Sequence, residues 1–250
     1  MSGGVGPTCD DISLPKEQEQ EQKFQEDPAC LKKAPNTTSS NPKRAGFLSF
    51  RQLNALALVV VLAASGMVSP EDFAFVVFSI IYMYFMARVA FPCLNPPKDS
   101  TIFDPKNKVL GLYVLVGAVI GLFLPIAYIL EGIFEGDKQG IKAAAPHVFL
   151  LASQVFMEGV AFSDRFSIPI RAFVPVFYNS RRIFTIVGWL RDEVSKEEQE
   201  NGGSARRLHI GRALAAANLA FWSFNLFGFL LPVYLPKAFR KYYSGYMVKE

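Results

Sequence analysis

The sequence predicts an all-α fold, a polytopic transmembrane helical bundle, and three observations carry that prediction. Hydrophobic residues fill 51% of the 250 positions and Phe alone accounts for 23. The first forty-odd residues are nevertheless strongly polar, so the apolar mass is concentrated in the remainder. There, several windows of about 18 or more apolar residues each match the roughly 30 Å hydrocarbon core of a bilayer at 1.5 Å rise per residue. Finally, the net charge is a modest +4, and the basic residues cluster beside the apolar windows. That distribution favours membrane topology over nucleic acid as a partner.

Residues 1–45, with PKEQEQEQKFQEDP and PNTTSSNPKR, are rich in Glu, Gln, Pro and Ser. Such a segment cannot bury enough apolar area to offset its ordering entropy, which predicts a disordered cytosolic tail. The transmembrane domain, 46–250, begins with a short span at 53–69 that Arg51 precedes. SPED then breaks the helix: Ser69 caps the next one, Pro70 suits its first position, and Glu71 and Asp72 face the positive end of its dipole. The second span, 73–91, is aromatic-rich and closes at FPCLNPP with Arg88 placed to snorkel. The third, 109–130, is the most apolar. Its GAVIG puts Gly117 and Gly121 on one helical face, where small residues let another helix approach closely, either inside the bundle or in a dimer.

The fourth span, 143–163, carries His147, Gln154 and Glu158. Beyond it, Ile183, Ile186, Val187, Leu190 and Val194 share one helical face while Arg181, Thr185, Gly188 and Asp192 lie opposite. This pattern predicts an amphipathic helix at about 180–195 lying in the membrane interface. Arg165, Arg171, Arg181 and Arg182 would meet lipid headgroups there. The last span, 213–234, is followed by Lys237, Arg240, Lys241 and three tyrosines that read as an interfacial anchor.

Counting basic residues in the loops gives a cytosolic N-terminus and about five spans. The five-span arrangement leaves the basic C-terminus outside. Sending 168–190 across would give six spans and bury Arg181 and Arg182; a re-entrant 143–163 would give four. The membrane expected is that of the endoplasmic reticulum or the cell surface. Cys93, just past the second span, is a candidate palmitoylation site.

Glu158 poses the sharpest question, because a carboxylate among apolar residues is costly and by default functional. Gln154 lies one turn before it, and His147 continues the same stripe. Asn218 and Asn225 form a second stripe in the last span, with Trp222 between them. Away from water each amide or carboxyl needs a partner, so the two stripes are expected to face one another. They form either an interhelical hydrogen-bond network, with Glu158 protonated or bonded to Asn225, or a site that handles protons or cations; the remaining option is that Glu158 snorkels toward Arg165.

Catalysis would need a nucleophile, a base or a metal cluster. The two histidines, His147 and His209, are far apart in sequence, and HExxH, Gly-x-Ser-x-Gly and Asp-rich motifs are absent. No enzymatic activity and no cofactor is expected. The leading expectation is a membrane protein that scaffolds a membrane or cytosolic protein partner or organises lipid, as a monomer or an oligomer. The alternative is a small transporter or channel subunit using the Glu158, His147 and Asn218/Asn225 groups.

The stretch HVFLLASQVFMEGVAFSDRFSIPIRAFVPVFYNSRRIFTIVGWL, residues 147–190, with the spans on either side, resembles a plant family of small multi-pass membrane proteins known mainly as a domain of unknown function. The resemblance covers about 45–245. It implies a plant integral membrane protein and brings no activity, cofactor or active-site residue.

Overall fold

The computed structural model describes residues 49–93, 102–103, 107–162, 165–196 and 205–247. All of these lie in one compact unit, Gly46–Glu250. The expected tail, 1–45, lies outside the described residues, and so does Ser163 at the end of the expected fourth span. Every element among the described residues is helical.

Local sequence sets each helix start. Helix α1, Phe50–Ala64, opens with a capping box in which Ser49 and Gln52 bond each other's backbone N–H groups. Helix α2, Pro70–Val89, uses Ser69 as its cap and Pro70 in its first turn, as the SPED motif predicts. Helix α3, Lys108–Ala118, is capped by Asn107 and passes through a widened π turn, Val119–Phe123, into α4, Leu124–Glu135. Gly136, at φ +74°, ends α4 in the left-handed conformation that glycine adopts without strain. Asp137 then caps α5, Lys138–Ala161. Helix α6 is Ile168–Ser195. The chain closes with α7, Ala205–Ser223, a π segment, Phe224–Tyr234, and α8, Leu235–Met247. Among the described residues four helical stretches are long and apolar enough to cross a membrane: Pro70–Val89, Lys108–Glu135, Lys138–Ala161 and Ala205–Gly245.

Helix α6 departs most from the sequence expectation. Residues 180–195 are the second half of one helix of 28 residues, about 42 Å long at 1.5 Å per residue. It runs from one end of the bundle to the other. Its first turns pack on Ala238, Tyr234 and Leu235, while Ser167 Oγ donates to Phe91 O at 2.8 Å. At its far end Glu193 accepts from Tyr128 Oη at 2.7 Å, and Arg212 donates to the Glu193 carbonyl at 2.9 Å.

The buried stripe of α6 includes Arg171, Tyr178, Asn179, Arg182, Ile186, Trp189 and Glu193. Phe184 is 71% exposed and Val194 59%. The helix therefore turns polar groups inward and part of its apolar face outward. A helical period identifies two faces without saying which faces in, and the residues expected to meet headgroups are split between the interior and the surface. Arg171 and Arg182, expected at lipid headgroups, are buried. Arg181 is ion-paired to Asp72 on α2 at 2.9 Å. Arg165 stands exposed in the turn before α6.

A cluster of charges joins four elements at the α6 C-terminal end. Arg207, on α7, donates to Asp137 Oδ2 at 2.8 Å and to Tyr128 O at 3.1 Å, with its guanidinium 4.1 Å from the centre of the Tyr128 ring. Lys196 bonds Glu193 at 2.9 Å and lies 3.8 Å from Asp137. Burial pushes the Asp137 carboxyl up, but the Gly140 N–H, the Arg207 guanidinium and the Lys196 ammonium outweigh it and hold that carboxyl below its ordinary value. A depressed carboxyl stabilises the fold above its unfolded pKa of about 3.9, and that contribution is lost as pH falls through the lower folded value. The thermal midpoint of the detergent-solubilised protein should accordingly drop on acidification below about pH 4. Asp137→Asn should lower the midpoint at pH 7 and flatten the acid limb; a limb of unchanged steepness would show that Asp137 is not responsible.

Candidate functional site

Pro125 sets the arrangement of the polar residues. Lacking an N–H, it cannot serve as the α-helical donor to the carbonyl four residues back, that of Gly121. The N–H of Leu124 bonds Val119 O, one residue further back than in an α-helix, which also leaves the Ile120 carbonyl without its α-helical donor. Side chains from two other helices replace these donors. His147 Nε2–H donates to Gly121 O at 2.9 Å, and Asn218 Nδ2 donates to Ile120 O at 3.0 Å. Because the acceptor is a carbonyl, the imidazole proton sits on Nε2.

The same region is held tight by the two glycines. A Cβ on Gly121 would stand 2.5 Å from a ring carbon of Trp222, and one on Gly117 would stand 3.0 Å from Phe221. The GAVIG face therefore seats the aromatic pair Phe221 and Trp222 of α7. Trp222 Nε1 donates to Asn218 Oδ1 at 3.2 Å, and the Trp222 carbonyl accepts from Asn179 Nδ2 at 3.0 Å, just before the second π segment.

Arg182 lies at the centre of this packing. Its Nη1 donates to Gln154 Oε1 and its Nη2 to Asn179 Oδ1, each at 2.9 Å, and its guanidinium stands 3.8 Å from the centre of the Trp222 ring. Gln154 bridges onward, donating from Nε2 to Glu158 Oε1 at 2.8 Å. The two sequence stripes thus do not bond each other. Glu158 pairs with Gln154, while Asn225 accepts from Tyr113 Oη at 2.6 Å.

Beside this network lies a cavity of about 890 Å3. Gln154, Glu158 and Asn225 line it, together with Arg51, Arg171 and Tyr234. Most of the remaining wall is apolar, with Leu110, Val114, Leu122 and Leu151 among its residues. His147 and Asn218 are not in that wall; their polar atoms serve the π turn. The sequence pattern therefore marks Gln154, Glu158 and Asn225 of this wall, places Arg171 at headgroups instead, and gives no signal for Arg51, Asn54, Tyr113 and Tyr234. Sequence reasoning also missed Pro125, whose place in an apolar span four residues after Gly121 was a readable signal for an orphaned carbonyl. Cys93 is half-buried just past α2. Among the described residues no group of three or more His, Cys, Asp or Glu side chains is placed to hold a metal ion.

Replacing His147 by Ala should leave the Gly121 carbonyl unsatisfied and cost about 1–3 kcal/mol of stability. Pro125→Ala restores a backbone N–H, so His147→Ala should cost less in that background; a purely additive double-mutant cycle would refute the role given to His147.

Comparison with curated proteins and with solved structures finds no match for the chain. A family comparison matches the domain of unknown function DUF7733 over residues 48–243, nearly the region of the sequence resemblance. The chain belongs to that family, DUF7733.

Proposed function

We propose that this chain is a multi-pass integral membrane protein that organises lipid by holding an amphiphile in the cavity between its helices. The observation that carries this reading is the cavity itself: about 890 Å3, mostly apolar, with Arg51, Glu158 and Arg171 as the charged groups among the described residues of its wall. Its size falls within the range of small-molecule sites, whose walls are apolar and whose few polar groups fix orientation. The protein acts without catalysis, and a membrane or cytosolic protein partner receives its effect. In keeping with the resemblance, its source is a plant.

The helices cross six times. α6 extends as far along the bundle as the apolar helices beside it, turns its charges inward and leaves Phe184 outside. Helix α1 packs along α5 from Gly159, against Gln52, to the Val148–Leu150 region, against Leu62 and Met67. Six crossings put Arg51, Arg88, Lys108, Arg165, Lys237, Arg240 and Lys241 at one end of the bundle. At the other end Arg206, Arg207 and Lys196 pair with Glu131, Asp137 and Glu193, and Lys138, Lys142, Arg191 and Arg212 stand beside them. Taking the end that carries Arg51 and the C-terminal Lys237, Arg240 and Lys241 as cytosolic gives a cytosolic N-terminus and removes the outward basic C-terminus of the five-span arrangement. The membrane remains that of the endoplasmic reticulum or the cell surface. A glycosylation tag inserted at 197–204 should be modified while one at the C-terminus should not; the reverse pattern would restore five spans.

A second reading, a transporter or channel subunit, is favoured by one observation: Glu158 lines the cavity and is linked through Gln154 to buried Arg182. It predicts a pH-dependent flux in reconstituted vesicles that Glu158→Gln abolishes. Unchanged flux in that variant would exclude Glu158 as the transport group.

A further inference from the structure

We infer that the cavity selects an amphiphile built on a flat conjugated ring with a carbonyl oxygen, of the quinone type, whose oxygen accepts from Asn225 Nδ2 while the ring lies on the aromatic side of the wall. This rests on the amphiphile-holding reading above and specifies its ligand.

Asn225 points to the oxygen. It stands in the π segment Phe224–Tyr234 and is only 7% exposed, yet it lines the cavity. Its Oδ1 accepts from Tyr113 Oη at 2.6 Å, which leaves the two N–H donors of Nδ2. Among the described residues neither finds an acceptor. Nor is Nδ2 sealed inside protein, as the unpartnered Nε of Arg182 is. The amide N–H groups therefore open on the cavity, where a donor without an acceptor is costly. Phe221 and Phe229, four residues to either side of Asn225 in the same wall, carry rings that offer no acceptor. A carbonyl oxygen meets the amide without bringing a donor of its own, as a hydroxyl would.

The rings point to a flat body. Eight of the 26 described residues in the wall are aromatic, about twice the 14% share of aromatic residues in the chain. Five of them form an unbroken strip that includes Tyr113, the partner of Asn225. Phe221 stacks on Tyr113 with ring centres 5.4 Å apart, and Tyr113 meets Phe229 at 5.5 Å. Phe229 stacks on Phe103 at 5.6 Å, and Phe103 on Tyr234 at 5.8 Å. Against such a strip a flat ring gains offset-stacked or edge-to-face contacts beyond the area it buries. An acyl chain covers the same area only by freezing several rotatable bonds, a freedom that a ring does not have to lose.

The test uses the full-length protein in phosphatidylcholine nanodiscs. Trp222, in the cavity wall, reports occupancy by its fluorescence, and buried Trp189, outside that wall, adds a constant background. Decylubiquinone, whose ring quenches tryptophan, should quench Trp222 with a saturable component above the linear collisional one. Decylbenzene, a ring without carbonyls, should compete at least about fivefold less well, the equivalent of one hydrogen bond. A dibrominated methyl stearate, an acyl chain with a carbonyl whose bromines quench directly, should bind at least about threefold less well than the quinone. Asn225→Asp keeps the oxygen that Tyr113 bonds and removes the amide donor. It should weaken the quinone about fivefold or more and leave decylbenzene unchanged. If that variant fails to fold, comparing the two ring compounds on the wild-type protein tests the same hydrogen bond. Phe229→Leu should weaken the quinone about threefold and leave the brominated ester unchanged. If decylbenzene competes as well as the quinone, the carbonyl contact is refuted and the amphiphile cavity stands. If the brominated ester binds as well as the quinone, the flat ring is refuted and the amphiphile cavity again stands. If neither quencher shows a saturable component, both readings fall.

Discussion

The bundle is organised around a guanidinium that has no contact with solvent. Taking a charge out of water costs several kcal/mol per ion even after the surroundings relax, so Arg182 is tolerable only where its donors are met. Gln154 from α5 and Asn179 from α6 itself accept from its two Nη groups and the ring of Trp222 from α7 stacks against it, which leaves Nε alone without an acceptor. A cation over an indole ring is worth about 2 kcal/mol when desolvated, and each hydrogen bond to a charged group about 1.5–3 kcal/mol. Because these partners sit on three helices, satisfying Arg182 fixes how α5, α6 and α7 are rotated and staggered. A shift by one residue on any of them would strand the charge.

That register carries consequences outward. Trp222, stacked under Arg182, must also fit the notch that Gly121 leaves, and its own N–H is taken by Asn218. Asn218 in turn reaches the Ile120 carbonyl that the π turn exposes, and His147 reaches Gly121 O beside it. A proline-disturbed turn in an apolar helix is thus closed by side chains that are themselves positioned by the Arg182 packing. Where the local medium offers no water, every freed carbonyl must find such a donor. The cavity is what remains where this packing stops. On its Gln154 side it borders the network, and on the α3 side it borders apolar wall.

Much of the fold was legible in the sequence. Ser69, Pro70, Glu71 and Asp72 announced α2 by capping chemistry alone, and the apolar windows fell on the other apolar helices, although the last, Ala205–Gly245, extends well past both ends of 213–234. The face of Gly117 and Gly121 was readable too, because small residues four apart make a groove whatever fills it. What the periodicity did not show was the full length of α6 and which of its faces is buried. Its periodicity is real, but amphipathicity has opposite meanings in water and in hydrocarbon, and the alternation cannot announce its own solvent. The polar stripe was partly legible for the same reason. Gln154, Glu158 and Asn225 reach the cavity, whereas His147 and Asn218 are bound to backbone groups, and only their relation to Pro125 distinguishes the two sets. Arg171 stood in the sequence as one more basic residue near an interface; its burial depends on α8 packing across the start of α6.

The account therefore stands or falls on α6 as a helix that crosses the bilayer with its charges inside. A nitroxide at Phe184, 71% exposed on the outer face of α6, reports this most directly through its collision rates with dissolved oxygen and with a water-soluble nickel chelate. In reconstituted bilayers the account predicts fast collision with oxygen and slow collision with nickel, the signature of a lipid-facing site. Nickel accessibility equal to that of a free nitroxide in buffer would place α6 in water and contradict it.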